Sequence, residues 1–176
     1  VVSPTSGITA DGVATAGVTV TVRDSGGNPV AGATVALAAT GSGNVVSAPG
    51  LTDMNGIYLG SVASIAAGQK TISATINPAG TPVPVTQTGS ASFSAGAASA
   101  TGSTVVASPT MGLLANGVTL STVTVTLVDA QGNPVGGQTV ELGSTGTFNT
   151  LSAPGVTDAE RLDALRDLIP EAFTEG

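Results

Sequence analysis

Apolar and polar residues alternate in short runs over the first ninety or so positions of the chain. Val18, Val20 and Val22 alternate with polar residues, which places an apolar and a polar face on an extended strand. Further alternating runs follow, separated by Gly, Pro, Asn and Asp: Val35 and Leu37; Ile57 and Leu59; Ile72, Ala74 and Ile76; Ala91 and Phe93. The pattern predicts about seven short strands in residues 1–96, an all-β domain of the immunoglobulin-like β-sandwich type.

The segment after the first of these runs predicts a tight reversal of the chain. Asp24 can accept hydrogen bonds from the amides of the loop that follows it, and Gly27 and Asn28 tolerate positive φ angles. Pro29 then fixes the backbone as the chain leaves the turn. The block is therefore predicted to be a hairpin whose second strand begins with Val35 and Leu37.

The sequence repeats itself at an offset of 105 residues. Residues 3–53 align without a gap with residues 108–158, and 29 of these 51 positions are identical. Both copies carry the block Gly-Asn-Pro-Val directly after an alternating strand. The repeat predicts a complete domain at 1–96, a linker at 97–107 and a second, truncated Ig-like repeat at 108–158.

The pattern changes after Asp158, where the first repeat would lead us to expect another strand. Thr157 and Glu160 have the spacing of a capping box, and Pro170 ends the new pattern. Four apolar residues fall on one helical face: Leu162, Leu165, Leu168 and Ile169. The tail at 159–176 is therefore predicted to contain a short amphipathic helix. We expect it to cover the exposed strands of the second repeat; the alternative is that its leucines bind a partner.

Composition excludes several classes of function. The net charge is −7, and only four Lys and Arg residues are present, so a cationic surface for nucleic acid is not expected. The chain has no His and no Cys, which excludes a Ser-His-Asp triad and the usual zinc sites. No basic-then-apolar leader follows Val1, and no apolar run reaches the ~20 residues that a membrane helix needs. The sequence reads as a piece of a longer protein that does not itself insert into a membrane.

The few carboxylates do not form a recognisable site. Asp53 to Gly56 resembles the start of a calcium loop, but no Glu precedes residue 141 to complete the cage. An Asx turn before a strand is the simpler interpretation. Asp11 and Asp24 could be considered as an acid–base pair, although isolated aspartates at turns are more often structural. We assign no catalytic, cofactor-binding or metal-binding residue and no cofactor, and we do not expect an enzyme.

Three other residues are candidates for a site. Lys70 is the only lysine in the chain, and a cross-link from it to Asn or Asp would need a buried acid close by. Tyr58 and Phe93 could form a platform for a sugar, but glycan sites usually stack several aromatic rings. Packing in the core is the expected role of both aromatic residues.

Several turn and strand signatures occur in the order found in the bacterial Ig-like repeats of the intimin and invasin type, the Big-1 family. The chain resembles that family over 1–96 and 108–158 at the following places: Ser3-Pro4; Ala10-Asp11-Gly12; Val18 to Asp24; Gly27 to Gly32; Thr52-Asp53; Asn55-Gly56; Ala67-Gly68; and Thr71 to Thr75. The resemblance implies extracellular arrays of repeats that project a binding domain from an outer-membrane anchor at the bacterial surface.

The resemblance leads to two hypotheses about function. The first is a structural spacer in the stalk of a surface adhesin, whose partners are neighbouring Ig-like repeats in the same chain. The alternative is a module that binds a host receptor or a glycan through its loops or a sheet face. The tail at 157–176 also resembles the opening segment of some adenine-specific DNA methyltransferases, so a third hypothesis places an enzyme beyond Gly176.

Overall fold

A computed structural model describes residues 1–77 and 79–158 and the backbone of residues 163–168. The chain divides into two units, Val1–Gly96 and Ala97–Gly176, which we call unit one and unit two. Every regular element of the described residues is a β-strand. None of the described residues forms a helix of the length and apolarity required to cross a bilayer.

Unit one contains ten strands in two sheets: β1 (Val2–Ser3), β2 (Ile8–Thr9), β3 (Thr15–Thr21), β4 (Thr34–Ala39), β5 (Asn44–Val46), β6 (Gly50–Leu51), β7 (Ile57–Ser64), β8 (Gly68–Ile76), β9 (Val83–Pro84) and β10 (Gly89–Ser94). The first sheet has the order β1-β3-β7-β5, and the second has the order β2-β10-β8-β4-β6 with β9 beside β8. All of these pairs are antiparallel except β2 with β10. The predicted immunoglobulin-like sandwich is confirmed.

The alternation in the sequence produces the core between these two sheets. Val18 and Val20 of β3 are buried, and the residues between and beside them face outward. Val35 of β4 and Val62 of β7 have no exposed surface, and Ile72 of β8 is 2% exposed. Because aromatic residues are scarce, β-branched and small side chains fill most of the space, and their burial stabilises the unit.

The loop between β3 and β4 contains the predicted tight turn, but the predicted hairpin is wrong, because β3 and β4 belong to different sheets and do not pair. One carboxylate oxygen of Asp24 accepts hydrogen bonds from the backbone amides of Gly26 and Asn28, each at 2.9 Å. Gly27 has a φ of 83°, a conformation that costs a residue with a Cβ about 1–2 kcal/mol. Arg23 and Pro29 face each other across an antiparallel bridge that closes the loop.

Unit two contains six strands: β11 (Thr104–Ser108), β12 (Leu120–Thr126), β13 (Thr139–Val140), β14 (Thr150–Leu151), β15 (Gly155–Val156) and β16 (Asp163–Leu168). One sheet has the order β11-β12-β16-β14, and the other is the pair β13-β15. β11 begins at Thr104, inside the segment 97–107 that the sequence predicted as a linker.

The internal repeat is reproduced at the level of single hydrogen bonds. Thr52 Oγ1 accepts from the amide of Ala33 at 3.0 Å and donates to the carbonyl of Val30 at 2.7 Å. Its counterpart, Thr157, makes the equivalent two bonds to Gln138 and Val135, each at 3.0 Å. The Ser-Pro bonds at 3–4 and 108–109 are both cis.

The tail differs from the prediction, because residues 163–168 form strand β16 and not a helix. β16 pairs with β12 in the register that β7 has with β3: Val125 faces Asp163, as Val20 faces Tyr58. Without β16, the edge of β12 opposite β11 would present unpaired amides and carbonyls, and a strand satisfies them whereas a helix cannot. The predicted side-chain contacts of Leu162, Leu165, Leu168 and Ile169 lie outside the described residues.

Candidate functional site

The carboxylate of Asp11 organises the loop that leads into β3. Its Oδ1 accepts hydrogen bonds from the amides of Val13 and Ala14, both at 2.8 Å. These bonds favour the charged form, so the amide of Ala14 and then that of Val13 lower the pKa of Asp11. In unit two, Asn116 accepts the corresponding bonds from Val118 and Thr119. Since an amide replaces the acid in the second copy, the role at this position is to accept hydrogen bonds and not to transfer protons.

Asp24 and Asp53 have similar positions in two other loops. A hydrogen bond from the side chain of Asn28 is the main cause that lowers the pKa of Asp24, and a bond from the backbone N–H of Asn28 is the second. Asp53 Oδ1 accepts from the amides of Asn55 and Ile57, each at 2.8 Å, and the bond from Ile57 is the main cause of its lowered pKa. The loop at 53–56 is thus an Asx turn, and the described residues contain no group of three acidic side chains that could hold a metal ion.

Asp11 and Asp24 do not form an acid–base pair in the structure. Asp11 precedes β3 and Asp24 follows it, so a strand of about 20 Å separates the two residues. General acid–base catalysis requires both groups within reach of one substrate. The structure therefore separates the two carboxylates that the sequence suggested as a pair.

Lys70 lies on the inner face of β8 with Ile72 and Ala74 and is only 5% exposed. Its Nζ donates a hydrogen bond to the main-chain carbonyl of Ser42, 3.4 Å away in the turn between β4 and β5. A cross-link requires a carboxyl or carboxamide carbon as the acceptor. The partner that the structure provides is instead a peptide carbonyl.

The two aromatic residues considered as a sugar platform are both inside the sandwich. Tyr58 is 5% exposed and Phe93 is 3% exposed. The hydroxyl of Tyr58 lies 3.0 Å from that of Ser47 and donates to the carbonyl of Ala48 at 2.9 Å. Both rings therefore pack in the core, as expected from the sequence, and neither offers a surface for stacking against a sugar.

One exposed surface was not anticipated from the sequence. The loops at 11–14, 40–43 and 64–67, which we call the loop end, meet through backbone hydrogen bonds from Gly12 to Ser64 (3.1 Å) and from Ile65 to Gly43 (2.9 Å). Val13 and Ile65 are 80% and 48% exposed in this surface. Neither Val13 nor Ile65 has a local sequence pattern that marks it as part of a surface, and only the fold brings their loops together.

These observations define an Ig-like β-sandwich whose polar loop residues form hydrogen bonds with the backbone of their own loops. The sequence profile of the bacterial Ig-like domain (group 1) family, Big_1, matches residues 1–88, and that of invasin domain 3 matches residues 99–161. The chain belongs to the bacterial Ig-like domain (group 1) family. No curated protein sequence matches it.

Solved structures show the same fold. InvD of Yersinia pseudotuberculosis is 24% identical with a TM-score of 0.59, over 97% of this chain and 48% of InvD. FdeC, an adhesin of Escherichia coli, is 21% identical with a TM-score of 0.52, over 97% of this chain and 55% of FdeC. The chain thus spans about half the length of each of these two structures.

Proposed function

We propose that this chain is a structural spacer in the stalk of a bacterial surface adhesin, exposed outside the cell in a parent protein anchored to the outer membrane. The observation that carries the proposal is that its charged side chains form hydrogen bonds with its own backbone. Asp11, Asp24 and Asp53 accept hydrogen bonds from backbone amides of their own loops. Lys70 is buried. The described residues offer length but no set of converging reactive groups, so we propose no enzymatic activity.

Membership of the Big_1 family and the repeat support this role. A spacer gains length by adding units of one design, and the hydrogen bonds of Thr52 recur at Thr157. In tandem arrays, each unit contributes its own stability together with that of its interface to its neighbours. Neighbouring Ig-like repeats of the same chain are the partners that this function requires.

The spacer function can be tested by placing the chain between an outer-membrane anchor and a reporter binding domain on the bacterial surface. Capture of beads carrying the reporter's ligand should fall when the 105-residue period 3–107 is deleted, because the reporter then lies closer to the surface. Substitution of Val13 or Ile65 by Asp should leave capture unchanged. Loss of capture in these two variants, with length preserved, would contradict a purely mechanical role.

The alternative function is binding of a host receptor or glycan, and the loop end favours it. Exposed apolar side chains such as those of Val13 and Ile65 in the loop end can anchor a partner protein. Binding of the unfused chain to host cells and glycan arrays should then be saturable and should be lost in the double variant V13D/I65D. Met54 is 88% exposed and lies before β7, at the other end of the strand from Ile65. Met54→Asp is therefore the matched control.

A further inference from the structure

The chain contains two Asn-Gly pairs, Asn55-Gly56 in unit one and Asn116-Gly117 in unit two. An asparagine that precedes glycine can lose its side-chain amide spontaneously, because glycine has no side chain to hinder attack by its own backbone nitrogen on the asparagine Cγ. Asparagine is accordingly one of the thermolabile residues of proteins. The two pairs lie in turns of different structure, so their reactivity should differ.

The side chain of Asn116 is held by the backbone of the residues that follow it. Its Oδ1 accepts hydrogen bonds from the amides of Val118 at 3.0 Å and Thr119 at 2.8 Å. Asn116 is exposed to solvent, and no backbone carbonyl of the described residues accepts a hydrogen bond from the Gly117 amide. Two N–H donors thus polarise the carboxamide directly beside a nitrogen that can attack it.

The turn at Asn55 engages the attacking nitrogen instead. The Gly56 amide donates to the carbonyl of Asp53 at 2.9 Å. Gly56 is buried, and a Cβ added to it would collide with the carbonyl oxygen of Val22, so the neighbouring loop leaves its backbone little room to move. The Gly56 nitrogen therefore cannot approach the Cγ of Asn55 unless the turn opens.

We propose that Asn116 is a site of spontaneous deamidation, at which the amides of Val118 and Thr119 act as an oxyanion hole. The Gly117 nitrogen gives its proton to water and forms a bond to the Cγ of Asn116. The negative charge that develops on Oδ1 is stabilised by the two N–H groups that already contact this oxygen. Nδ2 then takes up a proton and leaves as ammonia, and a succinimide ring remains.

Water completes the reaction by adding to one carbonyl of the ring. The product is an aspartate, or an isoaspartate in which the main chain passes through the side-chain carboxyl, and the net change consumes one water and releases one ammonia. The aspartate fits the turn, because its counterpart Asp11 accepts the same two bonds from Val13 and Ala14, both at 2.8 Å. This modification is a property of the turn alone and does not depend on the proposed function.

The test measures deamidation at Asn116 and Asn55 in one sample of the intact chain, incubated at neutral pH and analysed by peptide mapping with mass spectrometry. Synthetic peptides of residues 112–121 and 51–60 have the same local sequences without the fold, and they give the intrinsic rates. Asn116 should react about 10-fold faster in the chain than in its peptide, which is less than a donor contributes in a buried active site because the turn is exposed. Asn55 should react about 10-fold or more slowly in the chain than in its peptide, since its turn must first open.

A pair of substitutions tests the oxyanion hole itself. Val118→Pro removes one of the two N–H donors, and Val118→Ala keeps it. The side chain of Val118 is 77% exposed, so neither substitution removes packing from the core. The ratio of the rate in the chain to that in a peptide with the same substitution should fall in Val118→Pro and stay unchanged in Val118→Ala.

Either of two results would overturn the proposal. If Asn116 reacts no faster in the intact chain than in its peptide, the turn does not stabilise the oxyanion. If the proline and alanine variants have the same ratio of rates, the N–H of Val118 has no part in the reaction.

Discussion

At the scale of single residues, the most informative side chain is a threonine buried between two loops. Thr52 is 5% exposed, and its hydroxyl satisfies both the amide of Ala33 and the carbonyl of Val30. Its sequence context, Thr-Asp before Asn-Gly, indicated a turn but gave no sign that the hydroxyl is buried. The reason is that both partners lie about twenty residues away along the chain and approach Thr52 only in the folded sandwich.

Replacing Thr52 by Val should therefore destabilise unit one although the side chain keeps its shape. The amide of Ala33 and the carbonyl of Val30 would remain buried without a partner, which costs about 1–3 kcal/mol. Urea denaturation followed by circular dichroism measures the loss. Thr15 is an exposed strand residue, so Thr15→Val is the control and should change stability by less than about 0.5 kcal/mol. An equal effect of both substitutions would contradict this account.

The loop aspartates make a prediction about pH. The hydrogen bonds from Asn28 lower the pKa of Asp24 below its value in the unfolded chain, so the folded state favours the charged carboxylate. The resulting stability is present above the unfolded pKa of about 3.9 and is lost as the pH falls through the lower, folded pKa. Carbon-13 NMR titration should show that the pKa of Asp24 and that of Asp53 both lie below this unfolded value. Titration of Asp24 at or above that value would show that these bonds do not form in solution.

At the scale of elements, β16 shows how tertiary context overrides a local pattern. The apolar spacing of residues 162–169 favoured a helix, but residues 163–168 pair with β12 and with β14. The position corresponds to β7 of unit one, which pairs with β3 over seven residues. Intrinsic helix propensities differ by less than about 1 kcal/mol per residue, and a run of ladder hydrogen bonds can outweigh them.

Hydrogen exchange can distinguish the strand from a helix. If β16 pairs with β12, the amides of Val123 and Val125 should be protected in the intact chain. The backbone groups of Thr19 bond to Val1, so the amides of Val18 and Val20 point to the opposite edge, toward β7, and those of their counterparts Val123 and Val125 toward β16. Leu165→Pro removes a backbone donor and should abolish this protection, whereas Leu165→Val should retain it. The amide of Thr124, the counterpart of Thr19, points to β11 and serves as an internal reference. Unchanged protection in the proline variant would contradict the pairing.

At the scale of the whole molecule, the two units differ in the core that the structure describes. Fifteen buried hydrophobic residues form one cluster in unit one. Among the described residues of unit two, the buried hydrophobic residues are Val123, Val125 and Val135. Since burial of apolar surface is the main source of stability, the two units should not be equally stable.

We therefore expect two unfolding transitions, with unit two melting at the lower temperature. Differential scanning calorimetry of the intact chain should resolve them, and a fragment of residues 1–96 should reproduce the upper one. The Thr52→Val substitution should lower only the upper transition, and Thr157→Val only the lower. A single transition that both substitutions shift equally would show that the units unfold together.

The sequence by itself determined the five longest strands of unit one (β3, β4, β7, β8 and β10), its turns and the repeat. It predicted about seven strands where the structure has ten, and the short strands β1, β2, β5, β6 and β9 match none of its alternating runs. Each strand and turn depends on residues close together in the chain: the alternation of Val18, Val20 and Val22, and the loop from Asp24 to Asn28. The second copy is evident from residue identities alone, because they recur at a constant offset of 105 residues. Local patterns were sufficient to predict these features, because alternating apolar and polar residues favour a strand and a glycine at positive φ favours a turn. Each leaves few other backbone conformations.

Only the tertiary structure decided which distant groups meet. It buried Lys70 beneath the turn at Ser42, assembled the loop end from three separate loops and placed residues 163–168 in a strand. None of these features has a local signature, because each depends on which edges and faces remain unsatisfied once the sheets have formed. Backbone pairing and side-chain burial are properties of the assembled sandwich, because they join residues that lie far apart in the sequence.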